Sequence, residues 1–325
     1  MPDAPRWVCY YKTQTPFKMI KIKYGKGYSP HLFIDRLIVK LNFAAGKDAN
    51  AIHNTLFPLF DDPECFSGSK PASPVSIEKK IVLVSVANPK HHPHFIYRFA
   101  NHQAQWMRLT LHPRDMGLQG FEDLHNILIG FLPDGWASFI SAAKVTQIEV
   151  SIDLEGIPFN AVQVLPDQAQ TMTVFKSGQK VETLYFGKSK SNQTVIYDRT
   201  AKRQKAGQPD KAGPCTRIER KKSGLNLRLH ELGKLTNPFS HVKFVAIPAT
   251  PPASETKDYL STLYCDAVAQ RGLDPALKLL PAAKRAAYRK HLAVQKSGWW
   301  MPDMIWQAWP KVLGDLKLTD ASFWK

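Results

Sequence analysis

At 325 residues, 44% of them hydrophobic, the chain can hold one large domain or two modest ones with real cores, which excludes a disordered tail. A formal charge of +17 and a pI near 9.7 point to a polyanionic partner, nucleic acid or an anionic membrane surface. No apolar run reaches the ~18 residues of a membrane span and the N-terminus lacks the apolar stretch of a signal peptide, so a cytoplasmic protein with no membrane contact is expected.

Residues 1–31 are basic, aromatic and rich in turn formers, and read as a loosely packed lead-in. Leu37 to Phe43 alternate as a half-buried strand, Ala49–Leu59 reads as a short helix, and Asp61–Pro74, with Pro, Gly and Ser clustered, as a loop. Glu78–Ala87, His94–Phe99 and Trp106–Leu111 predict strands of one sheet. Gly120–Phe131 and Trp136–Ala143 predict helices. In Val145–Leu154, Ile148, Val150, Ile152 and Leu154 point one way and Gln147, Glu149, Ser151 and Asp153 the other, giving one core face and one acidic polar face. Ile157–Val164 predicts a helix entered through Pro158.

Three short runs of β-branched and aromatic residues follow between Glu182 and Lys222, separated by turn formers: three adjacent strands. Beyond them, Pro248–Ser254 reads as a linker, and Glu255–Gln270, Pro275–Leu280 and Ala282–Lys296 as helices. Trp299, Trp300, Trp306, Trp309 and Trp324 crowd the end, suited to helix packing or dimerisation. This order predicts an α+β fold: a largely antiparallel concave central sheet with helices on one face, plus a small helical C-terminal region. The expected divisions are a lead-in at 1–31, a catalytic domain at 32–247, a linker at 248–254 and a helical region at 255–325 for dimerisation or DNA binding.

Chemistry concentrates on the 182–222 strands. From Lys188 to Lys234 there are 13 Lys or Arg against 4 Asp or Glu, an excess suited to phosphates. Lys188, Lys190, Lys202, Arg203, Lys205, Arg220, Lys221 and Lys222 are the expected DNA contacts. Tyr197 stands among them as a candidate nucleophile, sharing a strand face with Arg199, while Arg217, Glu219 and Lys221 share a face on the next strand. A tyrosine hydroxyl, with an ordinary pKa of ~10, needs its proton drawn off, and a phosphodiester needs its charge neutralised before attack. Glu149, Asp153 and Glu219 are oxygen donors of the kind Mg²⁺ or Mn²⁺ prefers. Tyr185 is the rival nucleophile.

Other motifs are set aside. Gly187-Lys188-Ser189 ends like a phosphate-binding loop, but Glu182 stands where the first Gly is required and a strand follows in place of a helix. His91-His92-Pro93-His94 resembles a His-x-His metal motif broken by proline. Cys9, Cys65, Cys215 and Cys265 are far apart and form no C-x-x-C pair, so reduced thiols are expected.

The turn Tyr185-Phe186-Gly187-Lys188-Ser189-Lys190-Ser191, the strand Ile196-Tyr197-Asp198-Arg199 and the strand Arg217-Ile218-Glu219 together resemble the Rep-trans rolling-circle replication initiators. That family covers plasmid and filamentous-phage initiators and related relaxases. Arg108-Leu109-Thr110-Leu111-His112-Pro113, Gln147–Asp153 and Asn237-Pro238-Phe239 match further pieces in the same order, while Gln147 and Val195 stand where the family usually has arginine. The resemblance implies a metal-dependent, sequence-specific DNA nickase acting on double-stranded origin DNA and single-stranded DNA. Tyr197 would form a 5′-phosphotyrosyl link, Arg199 and Arg217 would steady the phosphate, and Glu149, Glu219 and Asp153 would hold Mg²⁺ or Mn²⁺. A homodimer and a host helicase are implied partners. A conjugative relaxase of the same chemistry, or a non-enzymatic basic DNA-binding regulator, are the alternatives.

Overall fold

The computed structural model describes residues 29–44, 46–56, 67–73, 76–83, 92–165, 172–177, 180–188, 192–208, 213–245, 249, 251–252, 259–295 and 297–325. In chain order the elements are β1 (Ser29–Asn42), α1 (Lys47–Leu56), β2 (Ser67–Ser73), β3 (Ser76–Val82), β4 (His94–Ala100), β5 (Gln103–Leu111), α2 (Pro113–Leu128) and α3 (Trp136–Ala142). There follow β6 (Lys144–Glu155), β7 (Gln163–Val164), β8 (Met172–Ser177), β9 (Lys180–Gly187), β10 (Asn192–Asp198), α4 (Arg199–Lys205), β11 (Cys215–Arg228) and β12 (Phe244–Val245). The chain closes with α5 (Tyr259–Arg271), α6 (Leu273–Leu279), α7 (Ala282–Val294), α8 (Pro302–Trp306) and α9 (Trp309–Asp315). The fold is α+β. No described helix is long and apolar enough to cross a membrane.

Ten strands form one sheet in the order β2-β3-β4-β5-β1-β6-β11-β10-β9-β8, each pair antiparallel. The two-residue period of β6 decides which face is core. Ile148, Val150, Ile152 and Leu154 are fully buried, as are Ile218 of β11 and Ile196 of β10, which lie in register with them. Against them pack Phe121, Leu124 and Leu128 of α2 and Trp136, Phe139 and Ile140 of α3. Each such side chain contributes roughly 1.5–3 kcal/mol on burial. The opposite face keeps the polar residues of β6 and is the one that matters for chemistry.

Several elements differ from the sequence expectation. β1 starts at Ser29, and His31 is buried with Nε2 3.0 Å from Glu155, so residues 29–31 belong to the core sheet rather than to a lead-in. Within the expected loop 61–74, Ser67–Ser73 pairs with β3; it is the outermost strand, where Pro71 is tolerated. The helix expected over 157–164 is a single 3₁₀ turn at Phe159–Ala161, because Gln163 and Val164 are drawn into pairing with β12. α5–α7 build a small second core around Tyr264, Leu273, Leu277, Tyr288 and Leu292.

The C-terminal region does not form one separate unit. From Trp300 onward the chain returns to the main core, where Trp309, Leu318 and Trp324 are buried. The indole N–H groups of Trp300, Trp309 and Trp324 donate to the carbonyls of Val242, Leu232 and Lys317 at 2.8, 3.0 and 2.8 Å. These tryptophans pack helices onto the domain, as aromatics with a polar handle do when buried.

Candidate active site

Four strands bring the site together on the face opposite the one covered by α2 and α3. Tyr197 of β10 lies directly opposite Arg217 of β11, Arg217 opposite Asp153 of β6, and Asp153 opposite His31 of β1. Glu219 is opposite Val195 and therefore diagonal to Tyr197. Glu149, Ser151, Asp153, Arg217, Glu219, Lys221 and Tyr197 all share this face, as their alternation predicts.

The hydroxyl of Tyr197 donates to Oε1 of Glu219 at 2.7 Å. Burial pushes the Tyr197 hydroxyl pKa above its ordinary value, with Arg217 pulling it back and Glu219 adding to the rise. Burial also raises Glu219, with the neighbouring Asp35 carboxylate adding to it, so Glu219 holds a proton more tightly than an ordinary glutamate. A donor and an acceptor are thus paired with both charges disfavoured, which suits proton transfer during attack. Lys202 lies over the ring, Nζ 4.5 Å from its centroid and 3.5 Å from the hydroxyl.

Arg217 is held by a forked pair with Asp153: Nε to Oδ1, and Nη2 to Oδ2 at 2.8 Å. Its Nη1 is 3.7 Å from both Asp35 and Glu219. Burial alone would raise Asp153, but the Arg217 charge and hydrogen bonds, with Arg114, hold it below the ordinary carboxylate range. Arg114 approaches Oδ2 at 3.3 Å and lies over the Phe33 ring, 4.1 Å from its centroid. Asp35 reaches the site because a register shift between Ile34 and Arg36 frees one residue of β1, a bulge of the sort often found beside functional groups.

Arg199 is not on the strand. β10 ends at Asp198, whose side chain accepts the Ala201 N–H at 2.9 Å and caps α4, so Arg199–Lys205 is a helix. Arg199 nevertheless joins the site. Burial lowers its pKa, the Arg217 charge adds to that, and its buried Nε has no hydrogen-bond partner among the described residues. A buried donor without a partner asks for an acceptor such as a phosphate oxygen.

No family model matches the chain, and no curated protein matches its sequence. The arrangement is a phenol hydrogen-bonded to a carboxylate, with Arg199, Arg217 and Lys202 close to the pair.

The expected cation ligands divide. Both oxygens of Asp153 are taken by guanidinium groups, so it anchors Arg217 and does not fit a metal. Glu149 and Glu219 are diagonal neighbours across β6 and β11, each with one oxygen engaged: Gln147 donates to Glu149 Oε1 at 2.9 Å, and Tyr197 to Glu219 Oε1. Among the described residues no group of three or more His, Cys, Asp or Glu is arranged to hold a metal. Two carboxylates still fit Mg²⁺, which commonly takes one or two together with substrate phosphates and water.

Of the expected DNA contacts, Lys221 faces the site and Lys202 covers Tyr197. Lys205 pairs with Glu182, Arg203 lies on α4, and Lys188 is exposed at the end of β9. Arg220 and Lys222 have the parity of Ile218 and point to the opposite face, where Arg220 Nη1 donates to Thr194 Oγ1 at 2.9 Å. Lys190 lies outside the described residues. Tyr185 is opposite Val195 on the site's own face, one strand out from Tyr197. Sequence reading missed Arg114, Asp35 and Phe33; the charged Pro113-Arg114-Asp115 opening of α2 was the only signal for the first of them.

Proposed function

We propose that the chain is a metal-dependent DNA nickase that initiates rolling-circle replication, with Tyr197 as nucleophile. The observation that carries this is the Tyr197–Glu219 hydrogen bond set among Arg199, Arg217 and Lys202. The Tyr197 oxygen attacks one phosphorus of an origin strand while its proton passes to Glu219. The P–O3′ bond breaks, the 3′ oxygen takes a proton from water, and a 5′-phosphotyrosyl link and a free 3′-OH result. Reversal of the same step rejoins the strand.

Arg199, Arg217 and Lys202 neutralise the charge that develops on the phosphoryl oxygens, a contribution usually large in such reactions. Asp153 and Arg114 fix the Arg217 fork. Glu149 and the second oxygen of Glu219 would hold Mg²⁺ or Mn²⁺, whose chemistry is to polarise the phosphate. Double-stranded origin DNA and the strand exposed within it are the substrates on this reading, and a relaxase would use the same residues at another DNA site.

The burial of Tyr197, only 5% exposed, favours one other reading, a DNA-binding regulator in which the tyrosine is structural. The test is a covalent protein–DNA adduct mapped to the Tyr197 peptide, which the regulator reading excludes.

A further inference from the structure

The other half of the sheet carries a feature the Tyr197 chemistry does not use. Trp106 of β5 is half-buried on the same open face, directly opposite Asn42 of β1 and Arg98 of β4. Nζ of Lys40 lies 4.8 Å from its ring centroid and Cζ of Arg108 5.9 Å. Lys40 and Arg108 are themselves directly opposite across β1 and β5. Like charges so placed destabilise a sheet, and β4 and β5 contain no Asp or Glu to offset them.

These residues line up with the site. From Arg217, opposite Asp153, the register steps diagonally to Lys221, Glu149 and Arg36 in one row, then to Lys40 and Arg108, then to Trp106 and Arg98. The diagonal crosses four strand spacings and rises eleven residues along β1, from His31 to Asn42, on the order of 40 Å in all. A polyanion with flat bases fits such a row: its phosphates meet the cations and a base stacks on the indole.

We propose that Trp106, with Lys40, Arg108 and Arg98, is a stacking station for single-stranded DNA at the far end of a cationic diagonal that begins at Tyr197. Duplex DNA keeps its bases stacked inside and offers no face to Trp106, so the single strand is the form recognised. The assignment of that strand to DNA rests on the proposed nickase reading; the stacking contact does not.

The test is equilibrium binding of a labelled dT₂₀ oligonucleotide to the full chain by fluorescence anisotropy. Every protein carries Tyr197→Phe, so that no covalent link contributes. Trp106→Ala is expected to weaken binding roughly 5- to 150-fold, and Trp106→Phe to keep most of the affinity, since a base–aromatic stack is sequence-tolerant and needs only a ring face. Lys40→Gln with Arg108→Gln is expected to reduce the salt slope of log K by about 1.4, two phosphates' worth. Thermal melts of the same proteins control for folding. Unchanged affinity in a folded Trp106→Ala protein overturns the proposal, as does equal loss in Trp106→Ala and Trp106→Phe. Loss confined to Trp106→Ala, while the chain with Tyr197 intact forms no adduct on any DNA in a separate denaturing-gel assay, upholds the station and removes the nickase reading.

Discussion

Glu219 accepts the hydroxyl proton of Tyr197 across a diagonal of the β10–β11 pair, 2.7 Å away, and burial raises the proton affinity of both groups. On the proposed nickase reading, attack by Tyr197 needs Glu219 ionised. The rate is expected to rise with pH through a midpoint above the ordinary glutamate value of 4.5, because its carboxyl is raised and the base must be free of its proton. In Glu219→Gln the acidic limb should vanish and the rate fall about 10²- to 10⁴-fold. A pH–rate profile by single-turnover cleavage checks both.

The Arg217–Asp153 pair is buried, so removing one partner strands the other. Asp153→Asn is expected to destabilise the domain by about 3–5 kcal/mol, read by denaturant unfolding. Asp153 is held below 3.8, so the stability it contributes is present above that pH and is lost as pH falls through its lower folded value. An acid unfolding curve of wild type against Asp153→Asn should show that contribution disappearing below pH 3.8 in the wild type alone.

The buried Nε of Arg199 has no hydrogen-bond partner among the described residues, and on the proposed reading it meets a phosphate oxygen. Arg199→Gln is expected to lower the cleavage rate about 10²- to 10³-fold with the melting temperature little changed. Tyr185→Phe, on the same face but one strand further out, is expected to stay within about twofold of wild type. Both are read from single-turnover rates on the same oligonucleotide. A loss in Tyr185→Phe comparable to that of Arg199→Gln would shift the nucleophile one strand outward.

The main faces were legible because residues 147–154 of β6 and 217–222 of β11 keep a two-residue period between their register shifts: Glu149, Asp153, Arg217, Glu219 and Lys221 share a side as their spacing requires. Arg199 misled because Asp198 is equally at home ending a strand and capping a helix, and only the Ala201 contact decides. Arg220 and Lys222 were grouped with the phosphate contacts by charge, although their parity with Ile218 assigns them to the other face. Arg114 and Asp35 were hidden for a different reason. A helix start and a bulge reach Asp153 and Arg217 only through long-range packing, which no local pattern records.

The tryptophan-rich end shows the same limit. Pro248–Ser254 suggested a boundary, yet Trp309 is buried in the main core with its N–H on the Leu232 carbonyl. Trp309→Ala is expected to cost about 3–5 kcal/mol, and a chain ending before Ser297 to lose cooperative unfolding of the whole sheet domain. Thermal melts followed by near-ultraviolet circular dichroism check this; an unchanged melt of the truncated chain would restore the separate C-terminal unit.

The most direct measurement is covalent attachment. Wild type and Tyr197→Phe are incubated with Mn²⁺ and 5′- or 3′-labelled single strands spanning the parent replicon, then separated on a denaturing gel. The expected result is a protein-linked band that carries the 3′ label, is absent in Tyr197→Phe and is suppressed by chelator. Tight, salt-sensitive binding with no adduct on any strand, or an adduct that persists in Tyr197→Phe, would contradict Tyr197 as the nucleophile.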